Sequence, residues 1–76
     1  MPLYFFNIRG DGFDETDIVG KRCKNDVAAL SEAMLIASEI VQQRLADLHV
    51  AHYGAVDVED EGHRSVLSLP LRAAAY

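Results

Sequence analysis

The chain has 76 residues, of which half are hydrophobic and a quarter are charged, and its formal net charge is −5. This length suits one small domain over residues 1–76, and this balance is typical of a folded protein rather than a disordered one. The acidic charge disfavours general nucleic-acid binding, and no apolar run approaches the roughly 18 residues that span a bilayer.

The single cysteine, Cys23, excludes a disulfide within the chain and suits a reducing compartment. The first residues do not form the basic and then apolar pattern of a signal peptide. We therefore expect a cytoplasmic protein with no membrane segment. A domain of this size has a thin core, and without disulfides a partner subunit is the expected supplement to its stability.

An aromatic and branched segment opens the chain and predicts a strand over Leu3–Ile8. Side chains alternate between the two faces of a strand. This alternation places Tyr4, Phe6 and Ile8 on the core side and leaves Phe5 on the opposite face.

A polar loop with two glycines follows, and its carboxylates are predicted to be solvated. They are Asp11, Asp14, Glu15 and Asp17. A short second strand around Lys21 to Lys24 is predicted to pair with the first strand across this loop.

The longest pattern predicts an amphipathic helix from about Asp26 to Leu48, with Asn25 or Asp26 as its N-cap. Apolar residues recur at spacings of three and four and predict a stripe that faces the core. The stripe consists of Val27, Leu30, Met34, Ala37, Val41, Leu45 and Leu48. Leu35 and Ile36 fall toward the polar side of the helix.

Two strands and a tight turn are predicted after the helix. Ala55–Glu59 alternates, with its valines inward and its acidic residues outward, and Asp60–His63 is a hairpin turn. The last strand, Arg64–Leu71, contains Pro70, which cannot donate a ladder hydrogen bond, so this strand is predicted to lie at an edge or to end there. Residues 72–76 are interpreted as a short tail.

The order β-β-α-β-β predicts an α+β fold, in which a small antiparallel sheet of three to four strands carries one long helix on one face. The other face of the sheet must then face water or pair with a second copy. Phe5 would lie on that open face, and Leu35 and Ile36 on the outer surface of the helix. These three residues are the candidate interaction surface, and we expect a homodimer.

Residues that can carry chemistry are present without a complete catalytic or metal-binding set. His49 and His52 have a spacing that can bind a metal, but zinc needs further ligands, which Cys23 or His63 could supply only if the fold brings them close. The basic neighbours of Cys23 can lower a thiol pKa, yet no positioned base or oxyanion site is apparent. We therefore assign no catalytic, cofactor-binding or metal-binding residue and predict no enzyme activity.

Four stretches together resemble DUF6894, a family of small bacterial domains of unknown function found in alphaproteobacteria. They are the opening Pro2–Arg9, the loop with Asp11-Gly12 and Asp17–Gly20, the helix start Ala28–Ala33 and the closing Val58–Leu69. The chain departs from the family pattern at Asn7, where histidine is common, and in the hairpin, where the glycine falls at Gly62 and His63 follows. The resemblance implies a small cytoplasmic α+β protein and implies no activity.

Three hypotheses about function follow. The first is a non-enzymatic protein that acts through self-association or through an unidentified protein partner. The second is an antitoxin-like or regulatory module, because the strand–loop–strand–helix opening loosely resembles small HicB-type antitoxins, although their motif is absent. The third is a metal-binding protein or an enzyme that uses Cys23 and the histidines.

Overall fold

The chain folds as one α-helix packed on one face of an antiparallel sheet, as a computed structural model of residues 1–10, 13–43 and 54–74 describes it. The elements in chain order are β1 (Leu3–Gly10), β2 (Phe13–Glu15), β3 (Lys21–Arg22), α1 (Asp26–Gln43), β4 (Ala55–Glu59), β5 (Ser65–Pro70) and a 3₁₀ helix (Leu71–Ala74). The predicted α+β class, with one helix on an antiparallel sheet, is confirmed. The predicted helical residues 44–48 lie outside the described residues.

The sheet has five strands, and its main path runs β2-β1-β4-β5. The long strand β1 pairs with β4 along one edge, while β2 and the two-residue β3 pair with its other edge. Sequence reasoning found β3 and its pairing with β1 but missed β2. The last strand, β5, ends the path, as Pro70 predicted.

The register of the strands fixes which side chains face the helix. Val58 pairs with Phe6 on one side and with Leu67 on the other, and Val56 pairs in the same way with Ile8 and Leu69. Directly paired residues point to the same face of a sheet. Both valines are completely buried, so this face is the one that α1 covers.

Asn25 is the residue that caps α1. Its side-chain oxygen accepts a hydrogen bond from the backbone N–H of Ala28 at 2.9 Å, one of the donors that a helix start leaves unpaired. The Tyr4 hydroxyl donates to a carboxylate oxygen of Asp26 at 2.6 Å, and this bond raises the pKa of Tyr4 to about 12. The first turn of α1 is thereby tied to β1.

The buried side of α1 is lined with small residues, contrary to the predicted stripe. Ala29, Ala33 and Ala37 have no exposed area, and Val41 is also buried. The prediction was therefore right for Ala37 and Val41, and Leu45 and Leu48 lie outside the described residues.

Val27, Leu30 and Met34 were wrongly assigned to the core, because all three are exposed. The physical reason is that α1 has apolar residues around most of its circumference. The bulk of the core comes from the sheet, through Val56 and Val58, so alanines on the helix allow the two layers to approach closely. The predicted stripe is therefore buried at Ala37 and Val41 and exposed nearer the start of the helix.

Leu71 is part of the core, and it begins a 3₁₀ helix where sequence reasoning placed the last residue of the final strand. β5 stops at Pro70, and the next residue, Leu71, is completely buried and contacts α1 through its 3₁₀ helix. The backbone N–H of Leu71 donates to the carbonyl oxygen of Gly54 at 2.9 Å. This bond fixes the turn that brings the leucine under the helix.

Gly20→Ala is expected to lower the free energy of unfolding by about 1–3 kcal/mol. Gly20 has a φ of 77°, and a Cβ there would lie 3.0 Å from both Leu3 Cδ1 and the Tyr4 carbonyl oxygen. The measurement is urea unfolding followed by circular dichroism. Gly62→Ala is the matched control, because Gly62 lacks a positive φ and its nearest contact would be 3.4 Å away. Equal losses in the two variants would contradict the prediction.

Candidate functional site

One side of α1 presents large apolar side chains to solvent. We name the row Val27, Leu30 and Met34 the α1 flank; their exposed fractions are 72%, 38% and 54%. Their spacings of three and four residues place them in one line along the helix. Leu35, with an exposed fraction of 62%, lies next to this row, farther from the sheet.

The α1 flank carries no charge. The charged residues of α1 are Asp26, Glu32 and Glu39. At about 100° per residue, Glu32 and Glu39 fall on the side of the helix opposite Met34. Solvent-facing sides of helices are usually charged. The α1 flank therefore has the composition of an interface rather than of a solvated helix side.

Glu32 also shows which way the α1 flank points. Its carboxylate contacts the Lys21 ammonium of β3 at 2.9 Å, so this side of the helix faces β3 and β1. The α1 flank lies on the opposite side of the helix and therefore faces β5, the strand at the other end of the sheet.

The three residues predicted to form an interaction surface lie in three different places. Phe5 is half-buried on the face of the sheet away from α1, and its ring stacks on the His63 ring with centroids 4.9 Å apart. Leu35 is exposed on the outside of α1, whereas Ile36 is half-buried and packs against the core. The structure does not bring these three side chains together.

An open cleft of about 350 Å³ lies between α1 and the part of the sheet formed by β1, β2 and β3. Its apolar lining comes from Phe6, Ile8 and Ile36, and its polar lining comes from Glu15, Thr16, Asp17, Lys21 and Glu32. Lys21 and Glu32 bind each other, and the bond to Glu32 raises the pKa of Lys21. Among the lining residues there is no cysteine or histidine that could act as a nucleophile or a base near neutral pH.

Asp17 was expected to be a freely solvated loop residue, but its carboxylate is hydrogen-bonded to the backbone of the sheet and of the loop before β3. One carboxylate oxygen accepts from the Phe6 N–H at 3.0 Å, and the other accepts from the Val19 and Gly20 N–H groups, each at 3.0 Å. Its own N–H donates to the buried Asn7 side-chain oxygen at 2.9 Å. Burial alone would raise the pKa of Asp17, but these three backbone donors outweigh burial and hold the pKa below its usual value.

The other acidic residues of that loop have separate positions. Asp14 and Glu15 lie on β2 and are exposed, as expected, while Asp11 lies outside the described residues. The register pairs Asp14 with Arg9 and Glu15 with Ile8, so their side chains point to opposite faces of the sheet. The three described carboxylates, Asp14, Glu15 and Asp17, therefore do not all lie on one face as a single acid–base or cation site.

The face of the sheet away from α1 is polar. The Asn7 side-chain nitrogen donates to Glu59 at 2.8 Å, and His63 lies 3.5 Å from the same Glu59 oxygen. Glu59 thus points outward, as predicted, but it also satisfies a buried amide. On the same face Asp57 accepts from the Ser68 hydroxyl at 2.5 Å and lies 3.9 Å from the Arg9 guanidinium.

The hairpin Asp60–His63 forms where it was predicted. The Asp60 carboxylate accepts from the Gly62 and Arg64 N–H groups, each at 2.9 Å, and the Arg64 N–H holds the pKa of Asp60 below its usual value. The positive φ of this hairpin, 61°, belongs to His63 and not to Gly62. Histidine tolerates this backbone region better than most residues do.

Among the described residues considered for chemistry, Cys23 is buried and His63 is exposed in the hairpin. Burial raises the pKa of the Cys23 thiol, and the Glu32 charge raises it further, which outweighs the opposite effect of Lys21. The basic neighbours of Cys23 therefore do not lower its pKa, and a raised pKa disfavours the reactive thiolate. His49 and His52 lie outside the described residues, and within the described segments no three metal-ligating side chains come together.

Sequence reasoning missed the functional candidates on the α1 flank because it placed them in the core. The absence of charge between Val27 and Ser31 and again between Ala33 and Ser38 is the signal that could have found them.

In the described part of the chain, no helix has both the length and the apolar character needed to cross a membrane.

Comparison with known proteins places the chain in a family and does not give it a function. The family model described as "Domain of unknown function (DUF6894)" matches residues 3–72. No curated protein and no solved structure matches the chain. The match covers every described strand and the whole of α1. The chain therefore belongs to the DUF6894 family.

Proposed function

We propose that this chain is a non-enzymatic cytoplasmic protein that acts by binding protein, in the first place a second copy of itself. The observation that carries the proposal is the inverted distribution of side-chain size on α1. Its alanines face the core, whereas Val27, Leu30, Met34 and Leu35 face solvent. A helix of a monomer gains nothing from this arrangement, whereas a helix in an interface does.

The energetic argument is that of the hydrophobic effect. Burying a valine, leucine or methionine side chain is worth about 1.5–3 kcal/mol, and each protomer has four such side chains on α1 that water now covers. A chain of 76 residues has a thin core, to which α1 contributes mainly alanines, and this leaves little margin in the isolated chain. Association would therefore add stability where the fold has least of it.

The reactive residue types support a binding role rather than catalysis. The Cys23 thiol is buried with a raised pKa, and the Asp17 carboxylate is occupied by backbone donors. Neither group is in the state that a nucleophile or a general base requires. A free thiol also suits a reducing cytoplasm.

The proposal predicts that the purified chain sediments with twice its monomer mass of 8.4 kDa. Sedimentation equilibrium from about 1 to 100 μM should show a dimer that dissociates on dilution, as a micromolar interface does. An independent measurement is the native mass spectrum of untagged protein from its host. A monomer at every concentration, with no protein partner in that spectrum, would contradict the proposal. A bound metal or small molecule would favour the third hypothesis.

A further inference from the structure

The edge of the sheet next to the α1 flank is open and uncharged. β5 ends the strand order, and in residues 1–10, 13–43 and 54–74 no strand pairs with its outer side. Its six residues are Ser-Val-Leu-Ser-Leu-Pro, without a single charge. Proteins usually protect edge strands with lysines, other charges or covering loops, because an open edge pairs readily with another strand.

The side chains of β5 continue the apolar surface of the helix. Leu67 and Leu69 point to the face that α1 covers, since they pair with Val58 and Val56, but they are only half-buried at the edge. The α1 flank faces β5 from the helix layer. Both layers therefore present apolar side chains at the same margin of the molecule.

Two other surfaces of the described residues carry charge and suit a second copy of an acidic chain less well. The face of the sheet away from α1 carries polar and charged groups such as Arg9, Asp57 and Glu59. The hairpin carries Asp60, Glu61 and Arg64, and the chain as a whole has a net charge of −5. Two identical acidic surfaces repel each other, whereas a neutral surface can meet its own copy without that cost.

We propose that β5 pairs antiparallel with β5 of a second copy, so that the two sheets become one and the two α1 flanks pack against each other. This inference rests on the proposed function and names its partner and its surface. The occupant is a second copy, because the surface is neutral and self-complementary and because an edge strand can pair with itself antiparallel.

One symmetry operation satisfies both parts of the surface. A two-fold axis perpendicular to the sheet beside β5 makes the two β5 strands antiparallel and keeps both helices on the same side of the joined sheet. The α1 flanks then face each other across the axis, because each projects toward its own β5. A two-fold axis in the plane of the sheet would put the helices on opposite sides and leave both flanks in water.

The dimensions of β5 and α1 can be compared with the area that a stable dimer needs. A typical interface covers about 800 Å² on each partner, which is roughly a sixth of the 4928 Å² surface of this chain. Six strand residues give an edge about 20 Å long, and the 18 residues of α1 span about 27 Å. Edge pairing alone would be weak, and the α1 flank supplies the apolar area that it lacks.

The test is the dimer dissociation constant of Met34→Glu, measured by sedimentation velocity over a concentration series. Two-fold symmetry places two new carboxylates in the interface, so the constant should rise by about 100-fold or more. Ile18→Glu is the matched control, since Ile18 has an exposed fraction of 86% and lies in the loop before β3. Val27→Glu is the second interface variant, and an acidic residue in the first helical turn favours folding.

The variants separate this inference from the proposed function. A dimer that survives in Ile18→Glu and dissociates in both Met34→Glu and Val27→Glu, each with a normal circular dichroism spectrum, supports the assigned surface. A wild-type dimer that both interface variants preserve overturns the surface but leaves self-association standing. Loss of the dimer in Leu35→Glu alone also overturns it, because the contact would then lie on the outside of α1. A wild-type monomer would remove both proposals.

Amide hydrogen exchange tests the strand pairing separately. In the wild-type protein, the backbone amides of Val66 to Leu69 that point away from β4 should exchange more slowly as the protein concentration rises. In Met34→Glu their exchange should be independent of concentration. Slowing confined to α1 would show that the helices meet without the strands and would overturn the β5 pairing.

Discussion

Asp17→Ala is expected to lower the free energy of unfolding by about 2–4 kcal/mol. The substitution leaves the Phe6, Val19 and Gly20 N–H groups without their acceptor, and these donors tie the loop before β3 to the edge of β1. Three hydrogen bonds to a charged group could sum to more, but the carboxylate is half exposed and water can replace part of the interaction. Urea unfolding followed by circular dichroism gives the value.

The same carboxylate makes stability depend on acid. The pKa of Asp17 is lower in the folded chain than in the unfolded chain, where it is about 3.9. Its contribution is therefore complete above that unfolded pKa and is lost as the pH falls through the lower folded pKa. The difference in stability between wild type and Asp17→Ala should be constant near neutral pH and should shrink below about pH 4.

Asp14→Ala is the control for both measurements. Asp14 belongs to the same acidic segment but is exposed on β2, so its removal should change the free energy of unfolding by less than about 0.5 kcal/mol. If Asp14→Ala and Asp17→Ala lowered stability equally, the effect would come from net charge and not from the hydrogen bonds described here.

Leu71→Ala is expected to cost about 2–5 kcal/mol, the range for removing most of a buried leucine side chain. Leu71 is completely buried under α1, among residues of which many are alanines that cannot expand to fill the space. The free energy of unfolding from urea titration is again the measurement. Arg72→Ala, one residue along the same 3₁₀ helix and exposed, should be almost neutral. A Leu71→Ala variant as stable as wild type would mean that the chain end is not part of the core.

Much of the sheet follows from local patterns and was predictable. Alternation over β1 placed Tyr4 and Phe6 in the core, and both are buried. The bounds of β4, the turn at Asp60 and the edge position of β5 follow from the alternation, the turn residues and Pro70. These features depend on residues close together in the chain, so a short stretch of sequence is enough to predict them.

The features that were missed depend on contacts between distant residues. Asp17 lies in a polar run that has the composition of a solvated loop, and only the unpaired N–H of Phe6 on a neighbouring strand gives it a structural role. The inward side of α1 is set by the bulk of Val56 and Val58 on the sheet, which helical spacing alone does not contain. Leu71 is buried only because the chain turns back toward Gly54 after Pro70.

The same misassignment explains why the candidate surface was only partly predictable. Helical spacing correctly grouped Val27, Leu30 and Met34 on one side of α1, but Ala37 and Val41 belong to the same stripe and are buried, so the error was to extend the buried part of the stripe to the start of the helix. Leu35 was expected on the outer surface of the helix and is exposed there, whereas Phe5 has a stacking partner in His63. The positions of the charged residues of α1 would have indicated its exposed apolar residues better than side-chain size did.

The unequal edges of the sheet bear on how far association can go. The edge of β1 away from β4 is closed by β2 at one end, β3 at the other and the Asp17 carboxylate between them, so its backbone donors have partners within the chain. The strands that cover it are three and two residues long, too short to template a further strand. A further strand can therefore add to the sheet at β5 but not at the opposite edge. If two copies pair at β5 as proposed, the pairing occupies the long open edge of each copy, and growth by strand addition would stop at the dimer.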